Sequence, residues 1–122
     1  MRALCSLVLL GFALSFSACG DDDDDRGGVG PGSRLVGGAC NDHADCKERC
    51  VEGKDYPGGM CTVSCGSDHD CPSGSACIDD SGGICAALCG GNSDCDGFGP
   101  GWACRDRSRR NAPGDVAVCR GD

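Results

Sequence analysis

Aromatic and basic side chains are scarce in this sequence. Its 122 residues include three Phe, one Tyr and one Trp. Between Cys40 and Cys119 there are eleven large apolar residues, among them Val51, Tyr56, Met60, Ile78, Ile84 and Trp102. So few side chains bury too little area to offset the entropy of ordering that segment. A conventional oily core is therefore excluded as the sole organising force. Lys and Arg number 11 against 19 Asp and Glu, a formal net charge of −8. That balance argues against nucleic-acid binding and favours solubility. The spacing C-x2-C is also missing. Its absence removes thioredoxin-like redox chemistry, c-type haem attachment and ferredoxin clusters, and it counts against zinc knuckles. Asp42, Asp45, Asp68, Asp70, Asp79, Asp80, Asp94 and Asp96 offer hard oxygen ligands, but no stretch has the twelve-residue EF-hand pattern. No metal and no cofactor is expected.

What is plentiful is sulfur and glycine: 14 Cys and 22 Gly. This is the composition of a disulfide scaffold, in which covalent staples replace a core. Bridges persist in oxidising compartments, so the chain is expected outside the cytosol.

The N-terminus agrees. In residues 1–18, Arg2 is followed by an apolar run from Ala3 to Phe16, the form of a signal peptide and too short to span a bilayer comfortably. The run closes in Phe16-Ser17-Ala18-Cys19, which resembles the bacterial lipobox, with Phe16 where an aliphatic residue is usual. The resemblance implies diacylglycerol on the Cys19 sulfur, cleavage before Cys19 and acylation of the new amino group. An ordinary signal-peptidase site would instead leave Cys19 an orphan thiol, a liability in an exported protein. Several acyl chains give stable anchoring where one is marginal. Residues 19–39 then read as the lipidated cysteine and a tether. Asp21 to Asp25 repel one another and the remainder is Gly-rich, so a disordered coil of about 25 Å is expected. The expected location is the cell envelope, with the outer membrane or cell surface favoured over the inner membrane.

From Cys40 the cysteine gaps define three units, each opening with C-x5-C and joined by C-x3-C steps. Unit one (40–61) holds Cys40, Cys46, Cys50 and Cys61. Unit two (65–85) holds Cys65, Cys71, Cys77 and Cys85. Unit three (89–119) holds Cys89, Cys95, Cys104 and Cys119. Asp45, Asp70 and Asp94 each precede the second cysteine, and Gly58-Gly59-Met60-Cys61 matches Gly82-Gly83-Ile84-Cys85. Self-similarity at this period means a tandem array of small modules. The fold class is thus small, disulfide-rich and mostly irregular, with short β-hairpins, one near Gly82-Gly83, and a short helical turn near each C-x5-C. The recurrent Asp suits a cap or an Asx-turn. Four cysteines per unit allow three connectivities. The pairing taken forward is first to third and second to fourth: Cys40–Cys50, Cys46–Cys61, Cys65–Cys77, Cys71–Cys85, Cys89–Cys104 and Cys95–Cys119. Neighbour pairing is the alternative.

The series Cys65-x5-Cys71-x5-Cys77-x7-Cys85-x3-Cys89, with Gly66-Ser67-Asp68-His69-Asp70 in its first gap, resembles the cysteine-rich repeats of myxobacterial and related deltaproteobacterial lipoproteins. It is also similar to the N-terminal cysteine-rich domain of Dickkopf proteins. Unit one departs by its short Cys46–Cys50 gap and unit three by its long last loop. The resemblance implies an extracytoplasmic, protein-binding module.

Ser67, His69 and Asp70 are the residue types of a catalytic triad, but close sequence neighbours rarely converge in the required relay. No enzyme activity is expected. Arg105, Arg107, Arg109 and Arg110 form a basic cluster just after Phe98 and Trp102, the composition of an interface hot spot. This is the candidate face for an acidic protein patch, a glycan or lipid headgroups, with Trp102 alternatively plugging unit three. The expected function is a membrane-anchored binding module with an unknown protein or glycan partner. The alternatives are a structural envelope spacer and a protease inhibitor with the Arg-bearing loop as bait.

Overall fold

The computed structural model describes residues 28–121; the expected signal peptide of residues 1–18, the expected lipidation site Cys19 and residues 20–27 lie outside them. Each unit is built the same way. A 3-10 turn begins in each C-x5-C loop: His43–Asp45, Asp68–Asp70 and Asn92–Phe98, the last running on past Cys95. An antiparallel hairpin follows, β1 (Arg49–Val51) with β2 (Met60–Thr62), β3 (Ser75–Ile78) with β4 (Ile84–Ala87), and β5 (Ala103–Ser108) with β6 (Asp115–Arg120).

Register explains why each unit needs two bridges. The third and fourth cysteines face each other across every hairpin: Cys50 opposite Cys61, Cys77 opposite Cys85, Cys104 opposite Cys119. They do not bond to one another. Each bonds back to its own 3-10 loop, through Cys40–Cys50 and Cys46–Cys61, Cys65–Cys77 and Cys71–Cys85, Cys89–Cys104 and Cys95–Cys119. Opposed residues in a sheet present their side chains to one face. Both sulfurs therefore clamp the loop against that face, and no cysteine among the described residues is free.

The repeated Gly-Gly has a steric cause. Gly59 and Gly83 both sit at positive φ, and a Cβ there would lie 2.0 Å from Cys40 O and 2.3 Å from Cys65 O. Only glycine lets the hairpin return so close beneath the first cysteine of its unit.

The linkers make the array continuous. Cys85 N–H donates to Val63 O and the Thr62 hydroxyl to Cys85 O, so the first C-x3-C step lies along β4. In the second step Leu88 bridges Val118 and Cys89 N–H donates to Ala117 O, along β6. The units also share one core. Val51, Tyr56 and Met60 of unit one pack with Ile78, Ile84 and Ala86 of unit two and with Cys95, Trp102, Val118 and Cys119 of unit three. Three modules with one common core are not independent beads.

One expectation is corrected. The composition of residues 19–39 predicts a disordered tether, yet residues 28–39 are folded as a strap against units one and two. Val36 is fully buried with Val63, Cys65, Cys77 and Cys85. Gly37 N–H donates to Cys61 O and Cys61 N–H to Gly38 O, both at 2.8 Å. The cause is the edge of β2. Units two and three have a preceding linker to pair with the second strand; unit one has none, and its backbone groups take the strap instead.

Candidate functional site

Two recurrent devices shape the loops. Asp45, Asp70 and Asp94 each turn a carboxylate back to the loop entrance, accepting from Asn41 N–H (2.8 Å), Gly66 N–H (2.8 Å) and Gly90 N–H (2.7 Å). The second device escaped the sequence reading. The side chain three residues after the first cysteine accepts from the N–H of the third cysteine in every unit: His43 Nδ1 from Cys50, Asp68 Oδ1 from Cys77, and Asn92 Oδ1 from Cys104, at 3.0, 2.9 and 3.0 Å. His, Asp and Asn look unrelated as letters, but each offers an acceptor at similar reach. Aligning the three C-x5-C loops by position rather than by identity exposes the signal. An acceptor is thus all that the position requires. His43→Asn and His43→Asp are expected to hold stability near wild type, while His43→Ala should cost about 1 kcal/mol, read from thermal unfolding.

The three units meet at a polar junction. Tyr56 of unit one donates its hydroxyl to Asp80 Oδ2 of unit two at 2.7 Å. Arg107 pairs with Asp80 Oδ1, and Arg120 lies 3.2 Å from Asp80 Oδ2 and 3.0 Å from Asp55 Oδ2. The Arg120 guanidinium also covers the Tyr56 ring at 5.7 Å. Asp80 and Arg120 side chains are 12% and 9% exposed, so water screens these charges little. Burial pushes the Asp80 carboxyl up, but hydrogen bonds from Tyr56 and Arg107 and the charges of Arg107 and Arg120 outweigh it and hold it below its ordinary value. Burial, followed by the hydrogen bond to Asp80 and its charge, pushes the Tyr56 hydroxyl above its ordinary value.

The Tyr56 shift carries a sign. A group raised on folding contributes stability that is complete below its unfolded value, about 10 for tyrosine, and is lost as pH rises through the folded value. Between those two values Tyr56 is expected to ionise only as the fold gives way. It is the sole tyrosine, so tyrosinate absorbance and unfolding should rise together in an alkaline titration. Ionisation of Tyr56 ahead of unfolding would contradict this.

The face anticipated from sequence is largely turned inward. Trp102 is 8% exposed, donates its indole N–H to Pro57 O at 3.0 Å, and packs on Phe98 and Tyr56 with ring centroids 5.0 and 6.2 Å away. It wedges unit three against unit one, not merely within its own unit. Arg107 joins the junction just described. Arg109 pairs with Asp68 at 2.6 Å and Arg110 with Asp79 at 2.7 Å, so the long β5–β6 hairpin lies across unit two. Arg105 is exposed. Ser67, His69 and Asp70 form no relay: Asp70 caps its loop through Gly66, and His69 is exposed. Cys19 lies outside the described residues. Three triplets of potential metal ligands stand close together, Cys40/Cys46/Cys50, Cys65/Cys71/Cys85 and Cys89/Cys95/Cys119. All nine sulfurs are spent in bridges and offer no thiolate.

An open groove of about 300 Å³ lies on unit one, lined by Asn41, Asp42, His43, Cys50 and Glu52. Asp42 Oδ1 caps Ala44 N–H and the His43 Nδ1 is taken by Cys50. The groove is therefore rigid at its base, with Glu52 on its exposed rim.

Fold and loops together define a small disulfide-rich protein of three tandem hairpin modules around one shared core. No known protein family, curated protein or solved structure matches the chain. Among the described residues no helix is long and apolar enough to cross a membrane.

Proposed function

We propose that this chain is a lipid-anchored extracytoplasmic lipoprotein whose body serves as a non-enzymatic binding module. The observation that carries the reading is that every cysteine of the described body is bridged. Six bridges persist only where thiols are oxidised. This joins to the signal-peptide form of residues 1–18 and the lipobox-like Phe16–Cys19. The myxobacterial-type and Dickkopf-like cysteine spacing is consistent with such a module. Loops pinned by sulfur lose little entropy on binding, which suits them to recognition. With Arg107, Arg109 and Arg110 ion-paired internally, recognition is assigned to the exposed polar loops, unit one's groove foremost. The acidic rim fits a cationic or polar protein segment or glycan better than nucleic acid.

A spacer role is the second reading. It draws on the inward placement of Trp102, Tyr56 and the paired arginines, which are the side chains that usually anchor interfaces. A protease inhibitor has less support, because a bait loop must offer its arginine free, whereas Arg107, Arg109 and Arg110 are ion-paired.

The test has two parts. Intact mass of the membrane fraction should show acyl chains on Cys19 and six bridges, and Cys19→Ser should release the protein from membranes; a bare N-terminus further downstream overturns the anchor. The oxidised body should bind an envelope component saturably, and Glu52→Lys should weaken that binding. Absence of saturable binding hands the assignment to the spacer reading.

A further inference from the structure

The folded strap changes how the body is held. In unit two the fourth cysteine's N–H donates to the residue two before the first cysteine, Cys85 to Val63. The strap repeats this relation for unit one, Cys61 to Gly38, and adds the return bond from Gly37 to Cys61 O. Cys65 N–H to Gly83 O and Cys89 N–H to Ala117 O match in register, while Cys40 N–H reaches Gly58 O, one residue earlier in its hairpin. Residues 36–39 thus occupy the place of a C-x3-C linker.

The strap is also closed on itself. Ser33 Oγ accepts from Leu35 and Val36 N–H and donates to Gly28 O at 2.7 Å. Gly38 N–H donates to Ser33 O and Gly30 N–H to Val36 O. Gly37 has a φ of +120°, and a Cβ there would lie 2.1 Å from Gly30 O, so glycine is required for the loop to close. Its outer end rests on units two and three: Pro31 lies 3.0 Å from where a Gly97 Cβ would stand, and Val29 3.8 Å from that of Gly74.

We propose that this strap is a stand-off clamp that confines the body to the surface of the bilayer carrying its anchor. The proposal rests on the lipid-anchor reading. With the strap released, twenty residues separate Cys19 from Cys40; with it docked, eight separate Cys19 from Gly28. At an upper limit near 3.6 Å per residue, the reach falls from about 70 Å to about 30 Å whatever those residues do. The Asn92–Phe98 turn and the Pro72–Gly74 segment lie beside Pro31 and Val29, near where the strap leaves the body. Docking therefore favours partners close to that same surface over distant ones.

The experiment uses the full-length lipidated protein in phosphatidylcholine vesicles containing a trace of dansyl lipid. Trp102, the sole tryptophan, is the energy donor. In the wild type the Gly37 and Cys61 amides should be protected from exchange and transfer should be high. Gly37→Ala should speed Gly37 exchange by at least about tenfold and lower transfer. An insert of about twelve Gly/Ser residues between Gly27 and Gly28 should lower transfer with protection intact. Rapid exchange of the strap in the wild type overturns the proposal, as does release by Gly37→Ala with transfer unchanged. If Gly37→Ala perturbs the body, seen as a lost near-ultraviolet signal from Trp102, Ser33→Ala opens the same loop and is judged by the same outcomes. Missing acyl mass on Cys19 removes the anchor reading instead, while strap protection still stands, so the two failures are separable.

Discussion

Full reduction of the six bridges in native buffer is expected to abolish the fold of residues 28–121. Of the twenty-one buried apolar residues among those described, nine are half-cystines. The remaining aliphatic and aromatic side chains are too few to hold three hairpins without cross-links. The bridges close loops with separations of 10, 15, 12, 14, 15 and 24 residues. On the chain-entropy account each contributes roughly 3 kcal/mol. Even with incomplete additivity, their loss is of the order of the whole 5–15 kcal/mol that roughly bounds the stability of a folded domain. Trp102 emission should shift to that of exposed indole, and near-ultraviolet circular dichroism should vanish. A reduced protein that kept both signals would defeat the sulfur-stapled picture. Loop size also ranks the bridges. Removing Cys95–Cys119 as a pair should cost about 0.8 kcal/mol more than removing Cys40–Cys50, from the logarithm of the two loop lengths.

The second large effect falls on one of two adjacent aspartates. Asp80→Asn is expected to cost about 2–3 kcal/mol, because it leaves Arg107 and Arg120 at the junction without their shared counter-charge. The figure is set below that for a fully buried pair because the Arg107 side chain is 35% exposed and Asp55 still serves Arg120. Asp79→Asn should cost no more than about 0.5 kcal/mol, since Asp79 and its partner Arg110 are 56% and 36% exposed. Denaturant unfolding of both variants checks the contrast, and equal effects would deny the junction its role. Acid should expose the same residue. Asp80 is held below its ordinary value, so its contribution is complete above the unfolded carboxylate value near 3.9 and is lost as pH falls through the lower folded one. The acid limb of the stability curve should therefore flatten in Asp80→Asn.

Covalent spacing and local stereochemistry made part of this protein legible without a structure. The C-x5-C and C-x3-C periods mark three units because bridges and tight loops tolerate little change in length. The Gly-Gly pairs mark hairpin returns because other residues there would collide with a carbonyl. The recurrent Asp marks a cap because its reach is only a few residues. These are short-range constraints, and each leaves a trace in neighbouring letters.

Tertiary structure alone decided the rest. Nothing local ties Tyr56 to Asp80, Arg120 to Asp55, or Trp102 to Pro57, since each pair joins different units across 24 to 65 residues of chain. The arginine cluster reads as a binding face in one dimension, and folding pairs Arg107, Arg109 and Arg110 with aspartates of unit two. Residues 28–39 have the composition of a linker, and the unpaired edge of β2 is what orders them. Sulfur spacing, then, could be read from the chain itself. Which charges neutralise each other, and where the body begins, depended on three modules having to bury a single core between them.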